Sequence, residues 1–243
     1  MSARAAIFDA FRKAKPDVFS DPARIAILDG ICDDFGIPGE VAFDRAAFLA
    51  RFVNTQAPAI DESAIAAAAM RLKVTPAHVL AVKAVESAGR SFDDKGRPII
   101  LFEPHQFWKR TGGRFGVTAY SYPKWGQKPY PASYDGRWTQ LADAASKDEQ
   151  AALESASWGL FQIMGFHWQA LGYASVQEMT ESMVRSEAGQ LDALVRFIEA
   201  NGLADELFRC SRDPETCRAF AMGYNGSGYA KNGYHTKLAR AMR

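Results

Sequence analysis

Residues 75–89 constrain this chain more than any other stretch, because they read as one apolar helix that delivers a single carboxylate at its end. Thr75 is a residue type that caps the free amides of a first turn, and Pro76 costs nothing at the first helical position, where its missing N–H would have no partner. Gly89 is the expected stop. Between them Val79, Val82 and Glu86 fall on one stripe, beside Leu80, Ala84 and Val85, so the carboxyl stands at the edge of a face otherwise suited to a core. Partial burial disfavours the ionised form, and the partly negative carbonyls of the last turn disfavour it again. A carboxyl still protonated near neutral pH is what a general acid requires. An ordinary solvated glutamate near a helix end would look the same from this helix alone.

The surrounding composition narrows the chemistry. With 243 residues, 48% of them hydrophobic, the chain has material for one sizeable domain and a small appendage. Its net charge of +1 hides an asymmetry. Acids dominate from Asp17 to Glu62, whereas Lys95 to Arg137 and the tail after Cys217 are mostly basic, a distribution suited to an anionic polymer or simply to solvation. The overall balance speaks against nucleic acid as the partner. No stretch resembles a spanning helix, since Arg71, Lys73, Pro76, His78 and Lys83 interrupt even Ala64 to Val85. The first residues lack the apolar block of a signal peptide, so synthesis in a cytoplasm is expected. Cys32, Cys210 and Cys217 have no metal-ligand spacing; buried thiols are expected, with a Cys210–Cys217 pair as the alternative. His78, His105, His167 and His235 form no two-His zinc motif, which disfavours a metal-dependent amidase or peptidase.

Along the chain, helices are expected near Ala5 to Lys15 and Pro22 to Phe35, with Ile7, Phe8, Phe11, Ile25, Leu28 and Ile31 as a small satellite core. Residues 1–56 form this appendage and 57–243 the main domain. Asp61 to Lys73 is an Ala-rich helix expected to pack on the one ending in Glu86. After Gly89 an Asp/Gly turn and the run Ile99 to Glu103 suggest a β-hairpin. Asp93, Asp94 and Glu103 are its candidate carboxylates, against bland readings as turn formers and a strand-end charge. Residues 104–138 are rich in aromatics interleaved with polar groups, which suits sugars as well as plain core packing. Helices are then expected over about Thr139 to Glu154, Thr180 to Asn201, Asp213 to Tyr224 and Gly233 to Ala241, with Gly159 allowing close backbone approach and Gln162 placing an amide in an apolar run.

Three motifs occur in a telling order: Glu86-Ser87-Ala88-Gly89, Gly159-Leu160-Phe161-Gln162-Ile163-Met164 and Gly223-Tyr224-Asn225-Gly226. The lysozyme-like superfamily, including goose-type lysozymes and soluble lytic transglycosylases, carries its Glu-Ser, Gly-Leu-X-Gln and Tyr-Asn-Gly motifs in that order. None is specific alone; three in order are. With Ile100-Leu101-Phe102-Glu103-Pro104-His105 and Ser155-Ala156-Ser157-Trp158-Gly159, the chain more closely resembles the N-acetylmuramidase family of phage endolysins, over roughly residues 60 to 243.

That resemblance implies an α+β, mainly α, two-lobed lysozyme-like fold with a small hairpin and a substrate cleft. It implies hydrolysis of the bond between N-acetylmuramic acid and N-acetylglucosamine, with no metal or organic cofactor. Carried over, Glu86 matches the general acid, Ser157 and Gln162 match cleft-lining positions, and Tyr224 and Asn225 match the pair near acid and substrate. His105 is a further substrate-binding candidate. The insertion after Glu86 departs from the transglycosylase spacing, so the second carboxylate is ranked Glu103 ahead of Asp94 and Asp93. The expected partner is the glycan strand of peptidoglycan, met by a monomer released to the wall through a separate pore, with wall binding as the candidate role of residues 1–56. A lytic transglycosylase and a non-enzymatic wall-binding protein are the rival readings.

Overall fold

The computed structural model describes residues 3–37, 43–86 and 90–242. The chain divides into two compact units, Met1–Asp44 and Arg45–Arg243. In the smaller, α1 (Ala3–Ala14) leads through a short 3₁₀ turn to α2 (Pro22–Asp34), whose cap Asp21 accepts from the Ala23 amide at 2.9 Å. Leu28 and Cys32 are buried, but Phe11 and Ile31 of the expected satellite core are exposed. Arg4 turns inward beside them, pairing with Asp29 and Asp33 and donating to the Ile37 carbonyl.

The larger unit begins with α3 (Arg45–Ala50). The division therefore falls before residue 56, because Phe48 and Phe52 belong to the main core; the Phe52 ring lies 5.1 Å from Trp138 and 5.5 Å from Trp158. Next, α4 (Glu62–Leu72) is capped by Asp61 and closed by Lys73 in the left-handed region, and it packs on α5 (Pro76–Glu86) as expected. At the start of α5 the Thr75 hydroxyl meets His78 Nδ1 at 2.7 Å. The expected stop at Gly89 lies outside the described residues.

The expected hairpin is reduced to a turn and one bridge, Phe92 to Pro98. Pro98 has no N–H with which to continue a ladder. β1 (Ile100–Phe102) pairs far along the chain instead. After α6 (Pro104–Arg110), α7 (Tyr134–Ala145) and α8 (Glu149–Glu154) come β2 (Ala156–Trp158) and β3 (Ile163–Met164), giving an antiparallel sheet in the order β1-β2-β3. Leu101 stands opposite Ser157, and Ser157 opposite Met164.

The helix expected over 139–154 is broken between α7 and α8, where Asp148 accepts from the Ala151 amide and starts a new helix. The one expected over 180–201 is likewise two, α9 (Val176–Arg185) and α10 (Glu187–Ala200). Ser186 is extended between them and its hydroxyl accepts from the Gly189 amide. The corner is tight: a Cβ on Gly189 would stand 2.0 Å from the Ser182 carbonyl oxygen. α11 (Ala204–Phe208), α12 (Arg218–Asn225) and α13 (Tyr234–Ala241) complete the unit, with α13 packed on α5. Cys210 and Cys217 are buried and free. Among the described residues no single helix is long and apolar enough to cross a membrane.

Candidate active site

A cleft of about 150 Å³ opens where α5 ends. Glu86 enters it from α5, Gln162 and Met164 from the β2–β3 turn and β3, and Tyr224 with Asn225 from the exit of α12. His167 and Phe197 form its wall, the His167 ring lying 5.1 Å from Phe197 and 4.4 Å from Phe166. Among the described residues lining it, Glu86 is the one carboxylate. Burial raises the pKa of Glu86, and the Tyr234 hydroxyl and Lys237 ammonium on α13 offset that only in part. Burial, with the charge of Arg110, lowers the pKa of His167 and favours the neutral imidazole.

The loop carrying Gln162 is held in an unusual shape. Gln162 has a φ of +49°, rare for a residue with a side chain, and Gly159 has a φ of +68°. A Cβ on Gly159 would meet the Gln190 side chain at 2.6 Å, and Gln190 in turn accepts from the Leu160 amide at 2.7 Å. The Gln162 amide closes the loop on itself: Nε2 donates to the Gly159 carbonyl at 2.7 Å, and Oε1 accepts from Ser157 at 2.7 Å. Ser157 therefore stands behind Gln162 and does not line the cleft. The Tyr224 hydroxyl is also committed, donating to the Phe161 carbonyl at 3.0 Å, and burial beside Glu86 pushes its pKa well up.

These residues are drawn from four separate segments, and the sequence match is of the same extent: a family model for N-acetylmuramidases matches residues 75–243. The chain belongs to the N-acetylmuramidase family. This muramidase is also similar to the crystal structure of a Burkholderia AP3 phage endolysin, at 38% identity and a TM-score of 0.67, covering 76% of this chain and 69% of that one. Among curated proteins nothing matches the chain.

The other candidates of the muramidase lie apart from the cleft lining. Glu103 continues the sheet, its amide donating to the Ser155 carbonyl at 2.8 Å. Residues opposite each other in an antiparallel sheet share a face, so Met164, Ser157, Leu101 and, two residues on, Glu103 stand on one side. Two strand spacings and one pleat repeat put Glu103 about 12 Å from Met164 between Cα atoms, outside the residues that line the cleft. Its carboxylate accepts from the Tyr130 hydroxyl at 2.5 Å and lies 3.2 Å from His105 Nδ1. Asp93 is a turn residue: its carboxylate accepts from the Lys95 and Arg97 amides and pairs with the Arg97 guanidinium, its side chain only 2% exposed. Asp94 is 86% exposed and paired with Arg90. Of the aromatics of 104–138, Phe107, Tyr122 and Trp138 are fully buried in the core, while Trp125 and Tyr134 are exposed. His167, Phe197 and Tyr234 go unsignalled in the sequence, since each reads as an ordinary member of a helix stripe or loop.

Proposed function

We propose that this muramidase cleaves the β-1,4 bond between N-acetylmuramic acid and N-acetylglucosamine, with Glu86 as the general acid. It is a peptidoglycan hydrolase of the endolysin type by family and by structural neighbour. The observation that carries the mechanism is that Glu86 is half-buried in the same cleft as Gln162, Tyr224 and Asn225, with burial favouring its protonated form. A sugar oxygen reaching it takes the proton as the glycosidic bond breaks, and positive charge grows on the ring left behind.

Glu103 is the second carboxylate of this reading. It shares the sheet face of Met164 and is fixed by Tyr130 and His105, so a water or a sugar carbon meets it in one orientation. The Asn225 amide, at the helix exit, and the remaining lone pair of Gln162 Oε1 supply polar contacts to the sugar, while His167 and Phe197 give it an apolar wall. Mass analysis of digested peptidoglycan tests the reading. Fragments with reducing muramic ends are expected; 1,6-anhydromuramic ends would mean a lytic transglycosylase, and wall binding without released fragments would mean no enzyme at all.

A further inference from the structure

The Tyr234 hydroxyl is buried and has no hydrogen-bond partner among the described residues. A buried donor left unpaired costs free energy, so its retention calls for an explanation. Tyr234 opens α13, the helix packed along α5, and its ring stacks on Tyr224 with centroids 5.8 Å apart. The hydroxyl is near enough to the Glu86 carboxyl to favour its carboxylate form, although no bond of ordinary geometry is closed. Lys237 follows three residues later on the same helix and faces Glu86 as a positive charge.

We propose that Tyr234, seconded by Lys237, is a donor held in reserve for the charge that appears on Glu86 when its proton leaves. Resting on the assignment of Glu86 as general acid, this makes Tyr234 a positioning residue. In the resting enzyme burial favours the neutral carboxyl, which asks little of the hydroxyl. As the glycosidic oxygen takes the proton, Glu86 becomes an anion in a site that burial makes hostile to it, and a donor already desolvated beside it closes a hydrogen bond to that charge. The other titratable groups facing this corner are Tyr224 on α12, whose hydroxyl is spent on the Phe161 carbonyl, and His167 across the cleft. Lys83 lies one turn back on α5 itself, and Cys210 lies against Tyr234. Tyr224 and Cys210 spend their donors on the Phe161 and Glu206 carbonyls.

The test is the pH profile of kcat for the full-length enzyme on purified peptidoglycan, with Tyr234→Phe, Lys237→Met and Glu86→Gln in parallel. Tyr234→Phe is expected to lower kcat roughly tenfold to a hundredfold with KM little changed. Because it removes a group that favours the carboxylate, it also moves the high-pH fall of kcat to higher pH. Lys237→Met, at an exposed position, is expected to move that fall in the same direction with a smaller loss. A merely structural role for Tyr234 would lower activity without moving the profile upward. Should Tyr234→Phe fold poorly, the carboxyl carbon of Glu86, followed by NMR titration in wild type and Lys237→Met, reads the same shift without turnover. An unmoved profile or titration overturns the inference while Glu86→Gln remains inactive; an active Glu86→Gln overturns the assignment of the acid instead.

Discussion

Ser157 donates its hydroxyl proton to Gln162 Oε1 across 2.7 Å, from behind the cleft to a residue that lines it. The contact fixes which end of the amide is oxygen, since Nε2 is already given to the Gly159 carbonyl. Removing the hydroxyl leaves that acceptor to water and loosens a residue already at an unfavourable φ. Ser157→Ala is expected to lose roughly 0.5–1.5 kcal/mol of stability in a denaturant titration. It should raise KM for peptidoglycan more than it lowers kcat. Unchanged kinetics would show that the Gln162 orientation is immaterial to binding.

Glu86→Gln separates chemistry from fold. The amide has nearly the shape of the acid and no proton to donate, so turnover is expected to fall roughly a hundredfold to ten-thousandfold. The pKa of Glu86 is raised in the folded state by burial, so its contribution to stability is complete at low pH and is lost as pH rises from the unfolded value through the folded one. A glutamine needs no ionisation in that site. Glu86→Gln should therefore melt at a higher temperature than wild type at pH 8, and the difference should shrink on acidification; a lower melting temperature at pH 8 would contradict the burial argument.

The same shift fixes the sense of the pH dependence. A general acid works only while protonated, so activity should persist above the ordinary carboxylate range and fall as pH rises through the raised pKa of Glu86. His167, held neutral by burial and Arg110, should add no change of charge near pH 7. Replacing it with Gln is accordingly expected to leave the position of the high-pH fall where it was, whatever happens to KM. A fall that moves with His167→Gln would identify the imidazole as the titrating group.

What the sequence makes legible here is what is local. Asp61 and Pro76 announce helix starts because a cap is decided within one turn, and the Glu86 stripe follows from the helical period alone, whereas α7 starts at Tyr134 behind its cap Ser133, ahead of the expected Thr139. The break at Ser186 escapes that period, because the buried stripe runs on across the corner and only the cap and Gly189 mark it. Strand pairing escapes for a different reason. β1 meets a partner more than fifty residues away, and local turn chemistry around Asp93 points to the wrong one. The cleft itself is visible as three motifs in order, but Phe197 reaches it, and Tyr234 reaches Glu86, only through helix packing, which leaves no local mark.

Gly189 tests how much the α9–α10 corner matters to the cleft wall that Phe197 belongs to. A Cβ there would lie within 2.0 Å of the Ser182 carbonyl oxygen, a contact with backbone that cannot rotate away. Gly189→Ala is expected to cost about 1–3 kcal/mol or more, as overpacking does, and to lower the thermal midpoint. Gly202→Ala, at a helix exit where nothing stands within 4 Å, carries only the penalty of its positive φ and should cost less. Equal losses in the two variants would mean that the tight corner relaxes freely.

Asp93 and Glu103 were both candidate carboxylates, and stability and turnover should tell them apart. Asp93 and Arg97 are a buried pair, with side chains 2% and 9% exposed, and Asp93 also ties down the turn amides. Truncating Asp93 removes the acceptor of two turn amides and leaves Arg97 with Asp135 alone, so Asp93→Ala is expected to lose about 1–3 kcal/mol in a denaturant titration. Any loss of turnover by that variant should follow its unfolded fraction. Glu103→Gln keeps an acceptor for Tyr130 and removes only the charge. It should melt close to wild type and still lose turnover, by roughly a hundredfold to ten-thousandfold if it acts as the base toward water. Full activity in Glu103→Gln would remove it from the mechanism and leave Glu86 as the sole acid, the condition under which anhydro products are expected.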